Sequence, residues 1–398
     1  MNGEPSPQFV HILQATLAYW QRLTADLDDA LIIQIDPDRR NLYQALDMGL
    51  SLPQTCTLAG EVAYQTFFLA ERRGYWPEWI TLFKRALAHC PDLVPVQRGH
   101  LLHRLGELYR HTYKLEEALI VHRQAEALAQ ELDDELALAE ARYRLCWDFL
   151  YTRQYEEAER CCRFAIDTFT QRGVRADLLT NSYWALGSLA RRRGELEMAQ
   201  ALLSQATDMA RTTQQPTYQA RMVEELGVTM SQNGAYAEAL AYFDEATEIL
   251  ADTLSEREKL QVQLNRAVVF YQQRRWAEAE AIWQQVSNSV YLRQSGETDF
   301  QARLAHNLGN VLLKMGKLDE AEAQLNYALQ LRLQLPDKVS QASTIGNLAQ
   351  VQIKQGQAKK GILLFKEAHK ILEDYPDDAH AQRVRQTIEA ELRALENL

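Results

Sequence analysis

Positive charge is in short supply: 43 Lys and Arg stand against 54 Asp and Glu, a formal net charge of −11. This balance argues against a bulk nucleic-acid or anionic-membrane binder, which needs a basic surface. No run approaches the ~18 apolar residues of a membrane-spanning helix. Met1-Asn2-Gly3-Glu4-Pro5 lacks the basic and apolar regions of a secretory signal, so the expected location is the cytoplasm. Cysteine is limited to Cys56, Cys90, Cys146, Cys161 and Cys162, an odd set without CxxC spacing. That fits a reducing compartment and disfavours structural zinc. Vicinal Cys161-Cys162 reads as two small packing residues on a helix, the alternative being a redox switch. Glycine and proline are sparse, 17 and 10 of 398 residues, in a chain full of Ala, Leu, Glu, Gln and Arg, which points to helix. Hydrophobic residues at 46% and charged residues at 24% are the proportions of a folded chain.

What is present is a repeat. An anchor residue recurs at Leu105, Leu145, Leu186, Leu226, Arg266, Leu308 and Leu348, with spacings of 40, 41, 40, 40, 42 and 40. A small residue follows each anchor: Gly106, Cys146, Gly187, Gly227, Ala267, Gly309 and Ala349. Bulky Leu203, Phe243, Trp283, Leu325 and Phe365 stand 17 after their anchors, and Gly194, Gly234, Gly316 and Gly356 stand eight after theirs. Small residues let helix backbones approach, bulky ones fill the gaps, and the glycines end the first helix of four units. Each unit is thus a helix, a turn and a second helix.

These residues resemble tetratricopeptide repeats in a long form of about forty residues. The resemblance covers residues 97–375 as seven repeats, preceded at 56–96 by a divergent copy with Thr66 at the anchor, Gly74, Trp76, Phe83 and Ala86 at the usual offsets, and Trp79 in place of an Ala. Gly361 replaces the same Ala in the last copy, and the proline common at repeat ends is missing. The implied fold is all-α, a right-handed α-solenoid of about eight helix-turn-helix repeats. A helical entry segment is expected at 9–55, a C-terminal cap helix at 376–398, and a disordered tail at 1–8. Arg293 to Asp299 marks the longest inter-repeat loop.

Within the entry segment the helices are expected at Phe9 to Leu27 and Pro37 to Leu50, the second started by Asp36-Pro37. Asp38, Asn41, Leu42, Ala45 and Leu46, followed by Trp79, resemble the entry into the repeat arm of STAND-type signalling ATPases, with Met48 departing from that pattern. The resemblance implies a sensor arm that in relatives follows a nucleotide-binding domain. No phosphate loop is present, since the sole Gly-Lys, Gly316-Lys317, is followed by Leu318. A free-standing arm and a fragment of a longer protein both fit.

On the first helix of each repeat, positions −5, −2, −1, +2, +5 and +6 from the anchor share one face. By the family resemblance this face lines the groove where partner peptides lie. It carries Asn265, Asn307 and Asn347 at −1 in three consecutive repeats, and Asn310 at +2. Each amide offers a donor and an acceptor, suited to the backbone of an extended peptide, although the same amides could brace the adjacent repeat. The face also carries Arg104, Arg144, Arg191, Arg192, Arg221, Arg303, Lys314 and Lys354, interrupted by Glu107, Glu140, Glu224 and Glu225. A locally positive wall would favour an acidic segment; mixed solvated charge is the alternative. Tyr143, Trp147 and Trp184 fall on the same face as anchors for partner side chains or as space-fillers between helices.

Protein or peptide is therefore the expected partner, with no direct nucleic-acid contact, no membrane and no cofactor. His100, His103 and Glu107 share a helix face but give weak support to a metal site, and none is predicted. With no Ser-His-Asp set, HExxH motif or dinucleotide loop in view, the chain is expected not to be an enzyme. The pattern carries no signal for oligomeric state.

Overall fold

A computed structural model describes residues 5–90, 92–173, 176–212 and 215–396. The helices are α1 (Pro7–Leu23), α2 (Asp29–Ile35), α3 (Arg39–Gly49), α4 (Pro53–Gln65), α5 (Phe67–Arg73), α6 (Trp76–His89), α7 (Pro95–His111), α8 (Leu115–Glu131), α9 (Glu135–Tyr151), α10 (Tyr155–Arg172) and α11 (Ala176–Arg193). There follow α12 (Leu196–Ala210), α13 (Pro216–Gln232), α14 (Tyr236–Leu250), α15 (Glu256–Gln272), α16 (Trp276–Ser287), α17 (Val290–Ser295), α18 (Thr298–Lys314), α19 (Leu318–Arg332), α20 (Lys338–Lys354), α21 (Ala358–Leu372) and α22 (Ala379–Glu396). They form two compact units, residues 1–149 with 164–173, and residues 150–163 with 174–398. In each unit consecutive helices pack as antiparallel-type pairs, an all-α repeat solenoid fold.

The turn eight residues after each anchor sets the register. Gly74, Gly194, Gly234, Gly316 and Gly356 are left-handed there, and so are Tyr113, Arg153 and Arg274, three residues whose side chains gave no hint of it. A non-glycine residue in this conformation costs about 1–2 kcal/mol, so repeat geometry overrides local preference at those three turns. The small residue after the anchor is needed for close approach. A Cβ at Gly227 would sit 2.6 Å from Phe243, and one at Gly309 would sit 2.5 Å from Leu325.

Several expectations shift. The helix expected from Phe9 begins at Pro7, because the Ser6 hydroxyl accepts the Phe9 N–H and caps it; residues 1–4 lie outside the described residues. Asp36-Pro37 opens a short 3-10 turn rather than α3 itself, and α2 adds a helix before it. In the divergent copy the first helix is broken at the anchor, where the Thr66 hydroxyl bonds back to Val62 O, giving α4 and α5. The expected loop at Arg293 to Asp299 is instead spanned by α17 and the start of α18, joined through left-handed Gly296. Cys56 and Cys90, read as unpaired, form a disulfide with Cα atoms 5.3 Å apart. Folding of α4 against α6 supplies the proximity that CxxC spacing would otherwise give. Cys146 and Cys162 are likewise disulfide-bonded, so Cys162 is not a simple packing residue beside the buried Cys161. No helix among the described residues is long and apolar enough to cross a membrane.

Candidate functional site on the first helices

Groove-face positions have different fates in the two units. In the first unit they are buried or half-buried and their charges are paired with one another. Arg104 donates to Glu107 at 2.8 Å and lies over the Phe67 ring at 4.2 Å. Arg144 bonds Glu107 and, at 3.1 Å, Glu140. Burial opposes ionisation of Glu107, yet Arg144, Arg104 and Arg110 outweigh it and hold the carboxyl well below its ordinary pKa. Beneath them Asp148 takes Arg110 at 3.0 Å and the His122 imidazole at 2.5 Å, both Asp148 and His122 being fully enclosed. Tyr143 and Trp147 are only 6% and 8% exposed. These two aromatics fill space between helices.

In the second unit the same face is laced from repeat to repeat. Arg191 donates to Glu225 at 2.7 Å and Arg221 to Glu258 at 3.0 Å. Asn265 donates to Glu224 at 2.5 Å, and Arg303 to Gln261 at 2.5 Å with Asp299 at 3.9 Å. Asn347 reaches Asn310 at 2.5 Å and His306 at 3.4 Å. The arginine-rich face is therefore largely neutralised by carboxylates one repeat away, because guanidinium and carboxylate pair wherever adjacent helices bring them within reach. What remains is different in kind. Asn307 is half-buried and makes no side-chain hydrogen bond among the described residues, and Lys314 and Lys354 are exposed without an ion pair there. Trp184 is half-buried.

Glu224 stands apart among the carboxylates. It is 8% exposed and its hydrogen-bond donor is an amide rather than a guanidinium, while burial and then the neighbouring Glu225 push its pKa up to about 7 against the pull of Arg303. Sequence reading counted Glu224 only as an interruption of the basic face. Complementary residues about forty positions apart, such as Glu224 and Asn265, were the available signal.

A further cluster had no signal at all. Arg153, in the left-handed turn after α9, pairs with Asp337 at 3.0 Å and with Asp378, to which the Tyr155 hydroxyl also donates. In an open array a repeat touches its neighbours, yet Arg153 lies 184 residues from Asp337 and 225 from Asp378. Both ends of the second unit therefore meet. Among the described residues no group of three or more His, Cys, Asp and Glu is placed to hold a metal; His100 stacks on Tyr64 and His103 turns toward His122.

Family models described as tetratricopeptide repeat match residues 185–252 and 300–374. Residues 185–252 and 300–374 are tetratricopeptide repeats. No curated protein matches its sequence. Among solved structures, the chain is similar to aspartyl phosphate phosphatase F from Bacillus subtilis, with a TM-score of 0.53 and 14% identity over 93% of this chain and 96% of that one. It is similar to NprR in complex with its cognate peptide NprX, at TM-score 0.51 and 16% identity over 71% of this chain and 82% of that one. It also resembles a STAND protein with a tetratricopeptide repeat sensor from Pyrococcus horikoshii, at TM-score 0.50 and 13% identity, covering 87% of this chain and 54% of that one. At these identities the likeness is one of fold.

Proposed function

We propose that this chain binds a protein or peptide segment along the groove face of α15, α18 and α20, acting as an adaptor or sensor rather than as a catalyst. The observation that carries this reading is the unspent polarity of that face. Asn307 retains its full amide, Asn265, Asn310 and Asn347 are only half-buried, and Lys314 and Lys354 are exposed without an ion pair among the described residues. Free lysines and amides suit an extended segment carrying acidic groups. Support of a weaker kind comes from relatives in fold, since NprR and the Rap conjugation regulator of plasmid pLS20 were each captured with a peptide. A second reading, the ligand-sensing arm of a STAND system, free-standing or a fragment, is favoured by the likeness to the Pyrococcus protein and by the Asp38 to Leu46 pattern on α3. A cytoplasmic site of action belongs to both readings, and the redox state of Cys56 and Cys90 in cells tests it.

The test is affinity capture from a lysate followed by titration of the captured partner against Asn307→Ala and Asn347→Ala. Asn307→Ala should weaken binding with thermal stability unchanged. Asn347→Ala should also lower stability by about 0.5–1.5 kcal/mol, the worth of a bracing hydrogen bond. Unchanged affinity in both variants removes the amides from the binding face.

A further inference from the structure

Helix α21 packs through Gly361, Phe365, Ala368 and Leu372, all buried. A Cβ on Gly361 would lie 2.8 Å from the carbonyl oxygen of Ala349, so α21 is pressed onto α20 and its opposite face is turned outward. That outward face departs from the other second helices of the array. Each of α6, α8, α10, α12, α14, α16 and α19 carries an acidic residue in its first turn, as the helix dipole favours. The first turn of α21 has no acid and presents Lys359 and Lys360, both exposed. Lysines at a helix N-terminus oppose the dipole and weaken the helix, so cohesion of the array does not account for them.

Lys359, Leu363, Lys366 and Lys370 follow at intervals of four, three and four, which makes them one stripe about 16 Å long. All are exposed, and the three lysines make no ion pair among the described residues. Glu373 faces His369 at 3.4 Å instead, and Glu367 stands exposed on the flank of the stripe. Leu363 is 68% exposed, more than any other large hydrophobic side chain among the described residues. Four other repeats have a small residue at its place, Ala201, Ala241, Ala281 and Ala323. At the places of Lys359, Lys360, Lys366 and Lys370 the preceding repeat has Asp319, Glu320, Asn326 and Gln330. The last repeat thus reverses the sign of its outer charge, in a chain of net charge −11, and sets an apolar side chain in the middle of it. Folding does not call for this, since the preceding repeat packs with acids, amides and Ala at the same places.

We propose that the outer face of α21 docks an acidic amphipathic helix of a partner protein, an apolar side chain of that helix resting on Leu363 and its carboxylates meeting Lys359, Lys366 and Lys370. Helices laid side by side touch through residues three and four apart, the spacing of this stripe, and about 16 Å corresponds to about three turns of the partner. Lysine stems cover the edge of such an apolar contact while their ammonium groups reach acids at its rim. A protein suits the stripe better than a nucleic acid does, because it has no arginine to grip a phosphate with two hydrogen bonds and no aromatic ring to stack on a base, and it has Glu367 beside it. The stripe belongs to a second helix, away from the groove amides on the first helices, so it stands whether or not the groove binds.

The test titrates the full chain, by fluorescence anisotropy, into a labelled helical peptide of about 18 residues with Leu at the centre of one face and Glu three or four residues to either side. Binding should saturate, weaken with salt, and fall at least about tenfold when the glutamates become glutamines. Lys359→Glu combined with Lys366→Glu should abolish it and should gain binding of the same peptide remade with Lys in place of Glu. Leu363→Ala should weaken it about fivefold. Lys359→Glu alone should keep or raise the melting temperature, which separates lost docking from lost folding. Lys84→Glu, at an exposed position of α6, should leave the affinity unchanged. Equal binding of the glutamine peptide, or a loss in Lys84→Glu as large as in the double reversal, overturns the proposal. So does loss of binding in Asn307→Ala, which would move the peptide to the groove, and so does tighter binding of a duplex DNA of about 20 base pairs than of the acidic peptide.

Discussion

Position −1 of the repeat is Arg144 in one unit and Asn347 in the other, and the two residues teach opposite lessons about the same place in the fold. Arg144 is 7% exposed and locked between two carboxylates, so the first helices of the first unit form a closed charged core. Asn347 shares its amide with the neighbouring repeat yet stays half-buried, beside an Asn307 that shares nothing. A repeat position thus fixes direction, while the residues one repeat away decide whether the side chain is spent on cohesion or left for a partner. Arg144 meets carboxylates on both sides, whereas of the amides Asn347 and Asn265 reach a partner one repeat away and Asn307 does not.

The largest break in this contrast should come from Arg144→Ala. It leaves Glu107 and Glu140 buried without Arg144 and should cost the first unit about 3–5 kcal/mol, read as lost hydrogen-exchange protection in α7 and α9. Lys354→Ala, at an exposed position of the open face, should be within about 0.5 kcal/mol of wild type. Similar effects of the two substitutions would erase the distinction between closed and open faces.

Next in size is the disulfide. Cys56→Ser with Cys90→Ser removes a link between residues 34 apart and should lower stability by about 2–4 kcal/mol. The loss should be confined to α4 and α6 and the helices packed on them, because repeat arrays transmit stability mainly to neighbours. Exchange that rises equally in α18 and α20 would contradict that confinement.

The subtlest is the pH response of Glu224. Its carboxyl holds a proton up to about pH 7 in the folded chain against an ordinary 4.5, so the folded state binds the extra proton between those values. Stability is then fullest below 4.5 and falls as pH rises through about 7. Glu224→Gln should flatten that fall and, near pH 8, be more stable by up to about 3 kcal/mol. A wild-type melting temperature constant across the window would contradict the buried, amide-bonded state of Glu224.

Much of the fold was legible. Periodic anchors, the small residue after each and the glycines of four turns specify helix pairs, because backbone approach and turn conformation are local requirements that residue size and type express directly. The same turn at Tyr113, Arg153 and Arg274 was not legible, since nothing in those side chains announces a left-handed backbone that only packing enforces. The face on which Asn265, Asn307, Asn310 and Asn347 lie followed from helical spacing alone. Their different engagement did not, because a hydrogen bond depends on the residue about forty positions away and on its reach.

Charge divides in the same way. Sequence by itself determined that this chain is acidic, helical and repetitive, and that arginines crowd one face of its first helices. Tertiary structure decided that most of those arginines are already paired, that Glu224 lacks such a partner, and that Arg153 meets Asp337 and Asp378 across the unit. Composition and period are properties of neighbours along the chain; pairing and burial arise only when distant segments share a surface.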